Sequence, residues 1–215
     1  MPQTDRQPQD SRTLDRLIFF SDAVFAIAIT LLVLELRLPA GGESTTTENL
    51  LGSLLGQIPS VLGYVISFLV IALYWFGHTR MFRAIRGYDD GLFWRNMLYL
   101  MCIAFVPFPT SVLGTHPGSQ VAVVFYAASM ALTGMMEFVL WRYVSDGHRL
   151  VDPGVPPGII RHYTLRTLTA PSVLLVSILI SFLSPGAAVA SWSLIFISQY
   201  FLDRHYRRVE KRGPQ

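Results

Sequence analysis

Polar side chains inside apolar runs are the residues of this sequence best placed to do chemistry. Asp22 precedes a long apolar run, and an aspartate in such a setting is costly unless it is paired or hydrated. We expect it to accept hydrogen bonds from Arg16, or from Trp75, His78 and Arg80 at the end of a second apolar run. Three roles fit this pattern: a polar clamp between helices, a proton relay through Asp22 and His78, and an exposed position in a vestibule.

A further ionisable residue, Glu137, lies in a later apolar run, and we expect it to pair structurally with Arg142, Arg80 or Arg95. The short loops contain no cluster of a nucleophile with a base or of metal ligands. The sequence therefore predicts neither an enzyme nor a resident cofactor. The single cysteine, Cys102, excludes an intramolecular disulfide.

The apolar run after Asp22 carries two adjacent stripes at helical spacing. The stripes are Asp22, Ala26, Thr30 and Ile27, Leu31, Leu34. Small residues in the first stripe allow helices to approach closely in lipid. The second stripe is typical of a lipid-facing or core surface, and periodicity alone leaves its direction open.

The composition sets the solvent in which these residues must be positioned. The chain has 52% apolar and 14% charged residues, whereas about 25% of residues are charged in soluble domains. We therefore expect a lipid bilayer around the chain. The net charge of +3 does not indicate a nucleic-acid partner, because the arginines lie between apolar runs instead of on one basic face.

Six segments are long and apolar enough to cross a bilayer, which takes roughly 20 helical residues. We predict the first four at 17–38, 58–78, 94–114 and 119–141. The uncharged stretch 167–202 is too long for one crossing, and the turn Ser184-Pro185-Gly186 divides it into two. Pro107 and Pro109 are expected to kink the third span. Residues 49–57 are predicted to form a short interfacial helix.

The arginines indicate the orientation, because cytoplasmic loops carry an excess of positive residues. In a six-span topology, sixteen of the 17 basic residues fall on one side and only Arg37 falls on the other. We expect both termini to be cytoplasmic. The predicted parts are an N-terminal tail (1–16), a six-helix transmembrane domain (17–203) and a basic C-terminal tail (204–215).

The start of the first span resembles a known signature. Arg16, Phe20, Ser21 and Asp22 match the pattern Arg-x-x-x-Phe-Ser-Asp at the first helix of the transmembrane protein 175 family of potassium channels. Residues 20–35 are similar to its bacterial members throughout. Three residues resemble the end of the family's second helix: Trp75, His78 and Arg80. Six spans with inner termini fit a single-repeat bacterial member, so we expect the protein in a bacterial plasma membrane.

The resemblance implies a homotetramer whose first helices surround a central path for potassium ions. It also implies that no carbonyl-lined filter loop is present, and Gly63-Tyr64-Val65, the nearest likeness to such a filter, lies within a continuous apolar span. Carried over by position, Ile27 forms the narrowest apolar ring, and Thr30 adds a ring of hydroxyls beside it. Leu31 and Leu34 are implied as further apolar rings.

Glu35 lies at the outer end of the first span, with Arg37, Glu43 and Glu48 after it. Four copies of Glu35 could concentrate cations at the mouth of the path. Alternatively, Glu35 and Arg37 only mark the solvated end of the helix.

The sequence therefore predicts a channel that conducts potassium passively through an apolar constriction. One alternative is a proton-coupled transporter or proton-conducting protein that uses Asp22, His78 and Glu137. The other is a membrane scaffold without transport.

Overall fold

The structure, a computed structural model, describes residues 6–36 and 47–211. These residues form nine α-helices and no β-strand. The helices are α1 Arg6–Leu31, α2 Thr47–Gly56, α3 Ile58–Ala84, α4 Asp90–Phe105, α5 Pro107–Thr115, α6 Gln120–Ser145, α7 Pro157–Ser181, α8 Pro185–Ser191 and α9 Ser193–Lys211. A 3-10 turn, Leu32–Glu35, extends α1. The predicted all-α class is confirmed.

Six stretches of the described chain are long and apolar enough to cross a membrane. They comprise α1 with its 3-10 turn, α3, α4 with α5, α6, α7, and α8 with α9. The protein is an integral membrane protein with the six predicted crossings. The short helix α2 stands where the sequence predicts an interfacial helix at 49–57.

The two interruptions predicted from proline are present. The helix axis breaks between Phe105 and Pro107, because a proline lacks the amide hydrogen that continues the helical bonding. The last hairpin turns at Ser184, whose side chain accepts a hydrogen bond from Ala187 N at the start of α8.

Three helices extend well beyond a predicted boundary. The first begins at Arg6 instead of residue 17, because the buried side chains of Leu14 and Leu17 extend its packed face toward the N-terminus. The fifth crossing begins at Pro157 instead of residue 167 and includes Arg166, which is buried. The last helix continues past residue 203 to Lys211. The predicted tail boundaries at 16 and 204 therefore fall within helices.

The helix ends and connections that carry half of the arginines meet on one side of the bundle. The α3–α4 and α6–α7 connections are joined by an isolated antiparallel bridge between Ile85 and Val151. Asp152 N donates to Ala84 O at 2.9 Å beside it. This side holds the C-terminal ends of α3 and α6 and the N-terminal ends of α4 and α7.

Helices α3, α6 and α7 pack closely where they meet at Gly134. A Cβ atom at Gly134 would lie 2.8 Å from Pro171 Cδ and 3.0 Å from Tyr74 Oη. Only a glycine permits this approach. Tyr74 Oη also donates to Met130 O at 2.8 Å, which fixes α3 against α6.

Candidate functional site

The first helix, α1, has one packed face and one exposed face. The packed face consists of Leu14, Leu17, Ser21, Phe25, Ala28 and Leu32. On the opposite face, Ile27 is 57% exposed and Leu34 is 61% exposed, with Thr30 and Leu31 also exposed. The structure thus brings together the four residues of the predicted constriction on one surface of the chain.

Thr30 makes one hydrogen bond within its own helix. Its Oγ1 donates to Ile27 O at 2.9 Å. A hydroxyl has one proton and two lone pairs. With the proton directed at the helix, the oxygen presents lone pairs, which can accept a hydrogen bond or contact a cation.

Asp22 is joined to the third helix through an indole. Trp75 Nε1 donates to Asp22 Oδ1 at 2.9 Å, which links α1 to α3. Among the donors predicted for Asp22, Trp75 is the one for which the structure gives a hydrogen bond. Arg16 and Phe20 lie on the exposed face of α1, up to two turns before Asp22.

A second, fully buried connection joins α1, α3 and α4. Asn96 Nδ2 donates to Ser21 Oγ at 2.9 Å, and Ser21 Oγ donates to Leu17 O at 2.8 Å. The Oδ1 of Asn96 therefore accepts from His78 Nε2, 2.9 Å away, which assigns the proton of the neutral ring to Nε2. Sequence reasoning missed Asn96, whose signal was an amide within an apolar run.

Aromatic rings enclose the imidazole of His78. Phe82 stacks on it with the ring centroids 4.1 Å apart, and Tyr99 lies nearly parallel at 5.9 Å. Phe25 of α1 approaches to 5.5 Å. The ring thus packs like an apolar side chain while its Nε2 holds Asn96 in place.

Arg80 lies in a different cluster, around Asp203. Its Nη1 is 3.6 Å from Asp203 Oδ2, and its guanidinium carbon is 4.2 Å from the centroid of the Phe76 ring. Arg166 Nη1 donates to Asp203 Oδ1 at 2.6 Å, and His162 Nε2 lies 3.2 Å from the same oxygen. These contacts tie α3, α7 and α9 together. Sequence reasoning missed Asp203 because its partners are distant along the chain.

Glu137 is buried without the arginine partner predicted for it. It is 6% exposed, and its Oε1 lies against Gly77, in the space that a Cβ would occupy. No hydrogen bond or ion pair to another described residue is present. The three predicted arginine partners bind elsewhere: Arg142 to Asp146, Arg80 to Asp203, and Arg95 to the carbonyl of Gly91. Glu137 lines a cavity of about 40 Å³ that is large enough for water.

The predicted mouth of the path is only partly within the described residues. Glu35 ends the 3-10 turn Leu32–Glu35. Its side chain, together with Arg37 and Glu43, lies outside the described part of the structure, and Glu48 is described only as backbone in α2. The proposed ring of acids at Glu35 stays a prediction.

Comparison with known proteins finds a matching family and several relatives. The profile of the family described as endosomal/lysosomal potassium channel TMEM175 matches residues 16–107. A potassium channel of Chamaesiphon minutus is 36% identical over 185 residues, covering 85% of this chain and 90% of the relative. A potassium channel of Streptomyces collinus is 36% identical over 155 residues, covering 70% and 74%.

A solved structure has the same fold. The crystal structure of a lysosomal potassium-selective channel TMEM175 homolog from Chamaesiphon minutus superposes with a TM-score of 0.75 at 31% identity. The likeness covers 91% of this chain and 98% of that one. It therefore extends over the whole bundle, beyond the residues that the family profile matches.

Proposed function

This chain belongs to the TMEM175 family of channels, and on that premise we propose that it conducts potassium ions passively through a path bounded by α1. The observation that carries the proposal is the exposed face of α1. This face combines the apolar side chains of Ile27, Leu31 and Leu34 with the hydroxyl of Thr30.

One copy of α1 cannot enclose a path, so the proposal requires several copies of the chain. Rotational symmetry brings the same side chains of each copy to a shared axis. We propose a homotetramer, in which four Ile27 side chains form the narrowest ring. The relatives named as potassium channels support conduction of potassium, because two of them match 85% and 93% of this chain.

Preference for potassium would arise from hydration. An apolar ring excludes water when it is narrow, and when it is slightly wider it admits an ion that has lost part of its hydration shell. Potassium loses water more readily than sodium. The oxygen lone pairs of four Thr30 side chains would replace part of that shell next to the ring.

The polar contacts beneath the exposed face give α1 a fixed position. We assign a positioning role to Ser21, Asp22, Trp75 and His78 of the predicted network, with Asn96 added and Arg80 acting from the separate Asp203 cluster. The other two predicted members, Arg16 and Phe20, lie on the exposed face of α1, and their part in the network stays a prediction. With Trp75 on Asp22 and Asn96 on Ser21, rotation of α1 about its axis breaks two hydrogen bonds. We also propose that the arginine-rich side faces the cytoplasm, with Glu35 at the opposite mouth.

Replacement of Ile27 tests the path. Ile27→Asn should wet the constriction, and in liposomes it should raise potassium flux or bring the permeabilities of potassium and sodium closer together. The matched control is Leu175→Asn on α7, a residue 50% exposed and distant in sequence. An unchanged flux and selectivity in Ile27→Asn would remove this residue from the path, and an equal change in the control would do the same.

Reversal potentials separate this function from proton-coupled transport. A passive potassium channel follows the potassium gradient at any imposed proton gradient, whereas a coupled carrier follows both. The contacts favour the channel. The chain of hydrogen bonds from His78 runs through the amide of Asn96 and ends at the backbone oxygen Leu17 O, so it does not connect His78 to a second ionisable residue. In the described residues, no hydrogen bond connects Glu137 to Asp22 or His78.

A further inference from the structure

A basic groove lies at the arginine-rich ends of α4 and α6. It is open, has a volume of about 700 Å³, and contains three arginines and one acid among its lining residues. The lining residues are Arg95, Phe138, Val139, Arg142, Tyr143, Asp146, Gly147 and Arg149. No residue of α1 lines it, so the groove is separate from the proposed ion path.

Tyr143 holds two of the three guanidinium groups close together. The guanidinium carbons of Arg95 and Arg149 lie 3.7 Å and 4.3 Å from the centroid of its ring. The ring attracts cations through its negative face. Its hydroxyl donates to Asp89 Oδ2 at 2.7 Å, and Gly91 packs against the same hydroxyl. The two arginines are therefore positioned by the fold and are not free surface side chains.

The acids beside the groove neutralise only part of this charge. Arg149 Nε lies 3.4 Å from Asp89 Oδ2, and Arg142 Nη2 lies 3.4 Å from Asp146 Oδ1. Partial burial opposes ionisation of Asp89. Hydrogen bonds from Tyr143 and Leu92 N and the charge of Arg149 outweigh it and hold the pKa of Asp89 below its usual value. Even with both acids ionised, three cations face two anions.

Most of the donor groups in the groove are still available. Each guanidinium has five N–H donors. Within the described part of the chain, Arg95 donates to Gly91 O, and the other two arginines each contact one carboxylate. Side chains of Arg142 and Arg149 are 50% and 54% exposed. The groove can therefore bind a further acceptor with several oxygens and negative charge.

Apolar surface adjoins the charged end. Phe138 and Val139 belong to the lining itself, and α4 exposes Trp94 and Leu98 in the turns that follow its start. The groove lies at the ends of two helices that are long and apolar enough to cross a membrane. From that placement we infer that it lies at the depth of the lipid headgroups. A ligand that suits both surfaces has an anionic head and an apolar tail.

We propose that this groove binds an anionic phospholipid, with its phosphate on Arg95, Arg142 and Arg149 and its acyl chains along the exposed apolar side chains of α4 and α6. Guanidinium groups bind phosphate oxygens through paired hydrogen bonds. A free phosphate ion would use the same arginines but would gain nothing from the apolar side.

Lipid retention tests the proposal on the purified full chain in neutral detergent. Phosphatidylglycerol and phosphatidylcholine are titrated separately, and bound lipid is counted by native mass spectrometry. We expect the wild type to retain phosphatidylglycerol more tightly than phosphatidylcholine. Arg142→Gln and Arg149→Gln should each weaken phosphatidylglycerol binding about fivefold and leave phosphatidylcholine unchanged. Asp146→Asn should strengthen it, because it removes an anion that competes for Arg142.

Two controls make the outcome decisive. Arg83→Gln changes an exposed arginine on the same side of the bundle but outside the groove, and it should alter phosphatidylglycerol binding by less than about twofold. Inorganic phosphate should not displace the lipid at equal concentration. Equal losses in Arg83→Gln and Arg142→Gln, equal retention of the two lipids, or displacement by inorganic phosphate would each overturn the proposal. If Arg149→Gln unfolds, Arg142→Gln and Asp146→Asn decide the result.

Discussion

Thr30 presents an oxygen, and not a hydrogen, at the exposed face of α1. The hydroxyl donates its proton to Ile27 O, so that toward the exposed face its oxygen can only accept a hydrogen bond or contact a cation. This arrangement suits a cation, and it would explain the proposed preference among cations at the residue level, which the proposed apolar ring alone does not.

Removing the hydroxyl should therefore reduce selectivity more than conduction. We expect Thr30→Ala to lower the ratio of potassium to sodium permeability, measured from reversal potentials in liposomes, and Thr30→Ser to retain it. Thr169→Ala is the matched control, because its hydroxyl makes the same kind of bond, to Leu165 O at 3.0 Å, on α7. A ratio that stays constant in Thr30→Ala contradicts the role given to the hydroxyl ring.

Asp22 allows charge to be separated from hydrogen bonding. Trp75 Nε1 needs an acceptor but no anion. Asp22→Asn should therefore keep the assembly, whereas Asp22→Ala leaves the indole without its partner and should lower the free energy of unfolding by about 1–2 kcal/mol. Thermal unfolding and gel filtration in detergent measure this. Equal stability of Asp22→Ala and the wild type would argue against the clamp, and equal loss in both variants would indicate that the charge is needed.

At the scale of the helices, α3, α6 and α7 are held by a contact that tolerates no added atoms. Gly134→Ala would place its Cβ 2.8 Å from Pro171 Cδ, so we expect it to cost about 1–3 kcal/mol in stability. Gly63→Ala on α3 is the control, since nothing lies within 4 Å of the added carbon. That change should be neutral or stabilising, because alanine favours a helix by up to about 1 kcal/mol over glycine. If thermal unfolding shows Gly63→Ala to be less stable than Gly134→Ala, the helices at Gly134 must be able to separate enough to accommodate the added carbon.

The helices also show which features a sequence can predict. The six crossings follow from apolar length, and the interruptions at Pro107 and Pro185 follow from the missing amide hydrogen. The uncharged stretch 167–202 predicts the start of α7 ten residues late, because Arg161 and Arg166 lie before it. Arg166 lies within the helix because Asp203 of α9 neutralises it, and a pairing over 37 residues leaves no local signal.

In the candidate site too, the sequence predicts some features and leaves others open. The placement of Ile27, Leu31 and Leu34 on one surface follows from helical periodicity, but whether that surface faces lipid, core or an ion path does not. Asn96 and Asp203 were missed because each acts through partners on other helices. Glu137 was assigned an arginine on charge alone, whereas the contact with Gly77 depends on how α3 and α6 pack.

For the whole molecule, the proposal requires an assembly of four chains. Light scattering in detergent should give four times the mass of the 215-residue chain. In a Cys102→Ala background, Ile27→Cys should form disulfides between subunits under mild oxidation, because a narrow ring brings the four positions close together. Leu175→Cys on α7 should form none. A strictly monomeric protein, or cross-linking at Leu175→Cys alone, would contradict the shared axis.

Because α1 has two different faces, the number of residues between Asp22 and Ile27 cannot change freely. Trp75 holds Asp22 on one side of the helix, and Ile27 follows five positions later on another. An insertion or deletion of one residue between them turns everything downstream by about 100°, and only whole turns restore the direction, at the cost of a shift along the axis. The spacing between these positions is therefore more constrained than the identity of the residues that fill it.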